Sequence, residues 1–299
     1  MHRHQTLKIL VLTFFFLGAM GDTLSFSTPS SRELVIVYSG NTLGELKPCG
    51  CAKEEDQGGF ERRLTYLKQV FANSKNILLV DTGDNFKEPS TQGKIKARYI
   101  MQAMSTSKYD AVIPGDKDLV YGESFLNDAA PIPWLLSNAE LKKIKPPKIR
   151  IKKLENGLTV AMLALIDPNL YYDAKHSGGS IKDPRKSAKK LIKKVKISEH
   201  PDLIILLTHM KREKAISMLK LSGVDVVING HIEKDTDIID MTHIKRNGKV
   251  FVQSGPKGQK MGELTVHIDS KGKKSFKQRI IRLDSNVKPD PEMIKWYEK

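Results

Sequence analysis

LLVDTGD, residues 78–84, is a short apolar run that breaks at an Asp-Thr-Gly-Asp turn. The apolar half reads as a buried strand. The turn therefore delivers the Asp84 carboxylate at the strand's carboxyl end, where open α/β sheets place their chemistry. Asp and Gly also populate ordinary loops for conformational reasons alone, so one such turn decides little. Four further apolar runs end in polar, ligand-capable clusters: VIVYSGNTLG at 35–44, DAVIPGDKD at 110–118, LIILLTH at 203–209 and VDVVINGHIE at 224–233. Five strands offering Asn41, Asp84, Asp116 with Asp118, His209, and His231 with Glu233 at equivalent ends are expected to converge on one point. Carboxylate oxygens beside imidazole nitrogens suit Zn, Mn or Fe.

Between these runs the pattern alternates with helices. After Gly58-Gly59, the residues Phe60, Leu64, Leu67 and Phe71 recur at helical spacing and predict one apolar face. Arg62 and Arg63 near the start of that helix oppose its macrodipole. That placement suggests a carboxylate or phosphate partner, with a solvent-facing role expected for at least one of them. PIPWLLSNAE at 131–140 reads as a further strand, and three strand signals follow from 250, with strict alternation in GELTVHID. Strand–helix alternation first and strands last describe an α/β chain of two packed sheets flanked by helices. With 299 residues, 39% of them hydrophobic and 28% charged, the chain is long enough to bury a full core. One domain over 33–285 accounts for it, followed by a tail at 286–299.

The first 21 residues have the three parts of a secretory signal: a basic start with Arg3 and Lys8, an apolar run from Ile9 to Ala19, and small residues before a cleavage point. Residues 22–32, rich in Ser, Thr and Pro, read as a linker. The apolar run is short for a membrane span, so export to the periplasm or beyond, with the signal removed, is expected. Removing it would take the formal charge from +16 to +14. Such a surplus suits anionic partners. Much of it, however, lies on the solvent face of the helical pattern at 183–196, and no specific nucleic-acid binding is expected. The two cysteines, Cys49 and Cys51, are separated by one glycine. A disulfide there would close a small, strained ring. A labile redox pair, thiolates lent to a metal, and an inert turn all remain open.

The order and text of these strand-end clusters resemble the calcineurin-like metallophosphoesterases, and within them the catalytic domain of the 5'-nucleotidase family. The first motif of that family falls on Asn41-Thr42-Leu43-Gly44, and the Gly-Gly-led helix with its arginine on Gly58 to Arg62. The bridging aspartate falls on Asp84, the Gly-Asn-His-Glu motif on Gly115-Asp116-Lys117-Asp118, and the strand-end histidine on His209. The last motif falls on Gly230-His231-Ile232-Glu233, and a returning strand on Val252-Gln253-Ser254-Gly255 with Gly262.

The resemblance implies a four-layer α/β/β/α sandwich of two mixed sheets flanked by helices, and two metal positions sharing Asp84. Asp116, His209 and His231 would complete one of them. Asn41 and Glu233 would border the other, where Leu43 stands in place of a histidine and cannot ligate. Cys49, Cys51 or Asp56 are candidate substitutes there. The resemblance also implies hydrolysis of a phosphate ester of a small molecule such as a nucleotide, with one or two divalent ions, Mn, Zn or Fe. Lys117 and Asp118 would sit in the catalytic motif, and Arg62 and Arg63 near the substrate. Lys117 replaces the family's histidine and, at a reference pKa near 10.4, is a poor proton shuttle. The family's second, base-recognising domain is expected to lack a counterpart after residue 285. A binding protein without turnover, and a thiol or metal site centred on Cys49 and Cys51, are the competing readings.

Overall fold

In the computed structural model the described residues are 32–48, 56–87, 89–128, 130–171, 179–233 and 241–297. The expected signal and linker at 1–31, together with Cys49 and Cys51, lie outside them.

The quoted stretch does form a buried strand, β2 (Ile77–Asp81), with all five residues buried. It pairs in parallel with β1 (Arg32–Ser39), and β3 (Ala111–Val112) pairs in parallel with β2 on its other side. β12 (Lys260–Ile268) runs antiparallel along β1, and β13 (Lys274–Arg282) along β12, giving a five-stranded sheet in the order β13-β12-β1-β2-β3. The strict alternation of GELTVHID is realised: Leu264, Val266 and Ile268 are buried, and the residues between them are half-buried.

The second sheet has six strands. Its centre is parallel: β6 (Thr159–Ile166), β8 (Leu203–His209), β9 (Val226–Asn229) and β11 (Lys249–Gln253). Antiparallel β5 (Arg150–Lys153) and β10 (Ile244–Arg246) close its two edges. A small sheet pairs β4 (Ala139–Glu140) with β7 (Ser180–Ile181).

Alternate residues of one strand enter different cores, because side chains on a strand point to opposite faces. Val160, Met162, Ala164 and Ile166 of β6, with Leu203, Ile205 and Leu207 of β8, join the larger core shared with the first sheet; Ala161, Leu163 and Leu165 join a second core. Helices α4 (Pro184–Ser198) and α5 (Arg212–Ser217) supply Ala188, Ile192, Val195 and Ala215 to the second core. Helices α1 (Phe60–Asn73) and α2 (Thr91–Thr106) supply Phe60, Leu67, Ile100 and Met101 to the first. Both sheets are thus covered on both faces, and the layering is the expected α/β/β/α sandwich of the metallophosphoesterase fold.

Three local expectations need correction. PIPWLLSNAE is not a strand along its length: only Ala139–Glu140 is, with an isolated bridge from Trp134 to Val112, because the segment crosses from one sheet edge to the other. Phe71 is 37% exposed, since α1 outruns the core at its last turn. Arg62 and Arg63 are both buried, and neither faces solvent. Residues 286–297, expected as a tail, include α6 (Pro291–Tyr297), which docks through Met293 and through Asp290, whose carboxylate accepts from Lys68 at 2.7 Å. α3 (Glu123–Asp128) packs Phe125 against Phe86 beside the β2 turn.

Candidate metal centre

Each strand-end cluster begins where a parallel strand stops, and parallel register brings those ends level. Ser39 pairs with Asp81, Asp81 with Val112, Ile166 with His209, and Thr208 with Asn229. The chain then turns, and several turn residues take the left-handed conformation: Asn41 at φ 52°, Leu43 at 52° and Asp84 at 59°. Asn and Asp tolerate that region, whereas for leucine it is strained. The two turns are laced together by backbone bonds, with Asn41 N donating to Gly83 O at 2.7 Å, Leu43 N to Asp84 O at 3.0 Å and Gly44 N to Asn85 O at 2.9 Å.

Thr82 is the seam between the sheets. Its hydroxyl lies 2.7 Å from Ser254 Oγ, and its carbonyl oxygen accepts from His209 Nδ1 at 2.8 Å. A Cβ on Gly230 would collide with Thr82, and one on Gly115 with Asp84, so glycine at these positions is what lets the turns close on one another.

The result is a compact donor set. Asp84, Asp116, His209 and His231 each present one ligand atom, all within 4.8 Å of one another. His209 Nε2 lies 2.8 Å from Asp116 Oδ1 and 3.3 Å from Asp84 Oδ1, and His231 Nδ1 lies 3.3 Å from Asp116 Oδ1. Because the Thr82 carbonyl can only accept, His209 carries a proton on Nδ1 and turns Nε2 into the cluster. Burial alone would lower His209, but the Asp84 and Asp116 carboxylates outweigh it and hold the imidazole well above its ordinary range. Burial would raise Asp116, and the hydrogen bonds from His209 and His231 overcome it and hold the carboxyl below the usual range.

These residues fit a divalent cation. Two carboxylates and two imidazoles supply hard and borderline donors. His231 Nδ1 is turned toward the Asp116 carboxylate at 3.3 Å, and the backbone carbonyl behind His209 orients its ring as supporting partners do in metal sites.

Other expected site residues are placed differently. Asn41 is fully buried with an unpartnered Oδ1, and its Nδ2 donates to Gly255 O at 3.4 Å. Glu233 is not brought into the cluster: its side chain is 44% exposed and its carboxylate lies 2.8 Å from Lys211 Nζ. Asp118 is not placed to act on a substrate. It is fully buried and accepts from the backbone N–H groups of Asp84, Asn85, Phe86 and Gly115, so it positions the two turns that carry Asp84 and Asp116. Burial, with the Asp84 charge nearby, pushes its carboxyl up to about 8. Lys117 is half-buried, and its backbone N–H donates to Asp84 Oδ1 at 3.0 Å.

The arginines are held by internal partners. Arg62 makes a two-pronged bond to Asp56, at 2.7 and 3.1 Å, which removes Asp56 as a substitute ligand and holds its carboxyl below the usual range. Arg63 lies 4.2 Å from the Phe60 ring and donates to Thr42 Oγ1 at 3.1 Å and to Tyr109 OH at 3.4 Å. Tyr109 in turn meets Ser39 Oγ at 3.0 Å, which donates to Asp81 at 2.6 Å. The buried guanidinium and the buried Asp81 are therefore the two ends of one relay under the site. Thr82 and this relay were not evident from the sequence. A backbone acceptor leaves no residue-type signal, and Tyr109 belongs to a different strand end.

No family model matches the chain. Among curated proteins it is similar to a snake venom 5'-nucleotidase of Naja atra, with 26% identity over 87% of this chain and 55% of the relative. It is also similar to the trifunctional nucleotide phosphoesterase YfkN of Bacillus subtilis, with 21% identity over 77% of this chain and 19% of the relative. Among solved structures, a 5'-nucleotidase precursor from Thermus thermophilus superposes with a TM-score of 0.75 at 21% identity, covering 89% of this chain and 58% of that one. The chain thus spans little more than half the length of the nucleotidases it matches.

Proposed function

We propose, for a chain that is a calcineurin-like metallophosphoesterase domain related to the 5'-nucleotidases, that it hydrolyses a phosphate ester of a small molecule such as a nucleotide. The observation that carries this reading is the four-residue donor set at the joined strand ends. Asp84, Asp116, His209 and His231 would hold a divalent ion, Mn, Zn or Fe. When bound, such an ion polarises the phosphoryl group and activates water.

The chain's own residues do the remaining work. The Thr82 carbonyl keeps a His209 proton on Nδ1, Asp118 holds the turns, and Lys117, whose backbone N–H donates to Asp84, would offer its ammonium to an anionic substrate. The amino-terminal pattern supports export, and among the described residues no helix is long and apolar enough to cross a membrane.

A second reading is favoured by one observation. Leu43, which has no donor atom, stands where the resemblance implies a ligand, so the scaffold would bind metal and an anion without turnover. The two readings separate in one experiment on the full chain purified without chelator: metal content by mass spectrometry, and hydrolysis of p-nitrophenyl phosphate and AMP, for wild type and His209→Ala. The expected result is about one metal per chain and hydrolysis reduced about 100-fold or more in the variant. Metal without turnover in the wild type supports the second reading. No metal, even after incubation with Mn or Zn, overturns both.

A further inference from the structure

A cavity of about 460 Å³ opens where the free edges of the two sheets meet, and none of its lining residues belongs to the metal cluster. One wall is the crossing segment around Trp134, which bridges to Val112 of β3; another is Arg150, the first residue of β5. Pro133 and Pro147 stiffen these walls, with their carbonyl oxygens held by Val112 N and Leu136 N at 3.1 Å each. The volume is that of a small-molecule pocket.

Its chemistry is one-sided. Lys143, Lys145 and Arg150 line it, no carboxylate does, and among the described residues none of the three side chains has an ion pair. Trp134 Nε1 and Arg150 Nε are buried without a hydrogen-bond partner, and both can only donate. Trp134 is 8% exposed. The cations lining the cavity, without ion pairs among the described residues, call for an acceptor-bearing anion, and the indole and proline walls call for an apolar body. We infer that this cavity binds a small organic anion, an aromatic or apolar body carrying a phosphate, phosphonate or carboxylate head.

The site carries its own reporter, because the chain has two tryptophans, and Trp296→Phe leaves Trp134 as the sole indole. Phenylphosphonate and benzoate would be titrated separately into the full-length Trp296→Phe protein while Trp134 emission is followed, with inorganic phosphate as the bare anion. A saturable change is expected with at least one organic anion, about tenfold tighter than with inorganic phosphate, and weakened about tenfold or more by Arg150→Met. Whichever organic anion binds more tightly identifies the head group. The change should persist in chelator and in Asp84→Ala, which separates this cavity from the metal centre and from any failure of the proposed hydrolysis. Three results would overturn the inference: no saturable change at millimolar anion, equal binding by Arg150→Met and Lys143→Met variants of unchanged circular dichroism, or loss of the change on chelation.

Discussion

Asp118 spends its carboxylate on four backbone N–H groups from two different turns and so ties the Asp84 and Asp116 loops together. Asn would keep the shape but place an amide donor against donors, leaving buried groups unsatisfied. Asp118→Asn is expected to cost about 2–4 kcal/mol, read as a lowered urea midpoint, and to reduce metal content as the turns loosen. Asn41 and Leu43 test the opposite case, a site short of ligands. Both hold left-handed φ, and Asn41 already turns a buried, unpartnered oxygen inward. The double variant Asn41→Asp/Leu43→His is expected to raise metal content from about one to about two per chain, as two-ion sites require; an unchanged content would show that the first position lacks more than these two ligands.

At the scale of elements, the β1–β12 pairing is the most exacting contact. Tyr38 lies opposite Gly262 in register, and a Cβ there would fall within the Tyr38 ring. An aromatic side chain covering a strand glycine is a register device. Gly262→Ala is expected to destabilise the protein by about 3 kcal/mol, measured by denaturant unfolding, because Tyr38 is fully buried and has no room to swing away. The alternation around Gly262 is legible in the sequence, since Leu264, Val266 and Ile268 repeat every second residue. The path of Trp134 is not: its segment has strand-like composition, yet it crosses between sheet edges rather than joining either sheet. That path is set by Val112, Pro147 and Ala164, which bond to it from three separate parts of the chain.

For the whole molecule, the two sheets meet at Thr82, and a cation at the adjoining cluster would tie both to one point. An ion present at about 100 times its dissociation constant stabilises by about 2.7 kcal/mol. For a chain of 299 residues that is a shift in Tm of about 4 °C. Differential scanning calorimetry with and without chelator should show this difference in the wild type and none in His209→Ala; an equal Tm in both conditions would place no ion at the cluster. The sequence by itself determined the five strands that lead into the site, their polar ends and the identity of the candidate ligands, because periodicity and residue type are local properties. Only the tertiary structure decided which of those groups share a site. His209 meets Asp116 across 93 residues and Thr82 across 127, while Glu233, two residues from His231, turns away to Lys211. Convergence depends on how two sheets stack and where glycine lets their turns touch, and neither is encoded in any one stretch of chain.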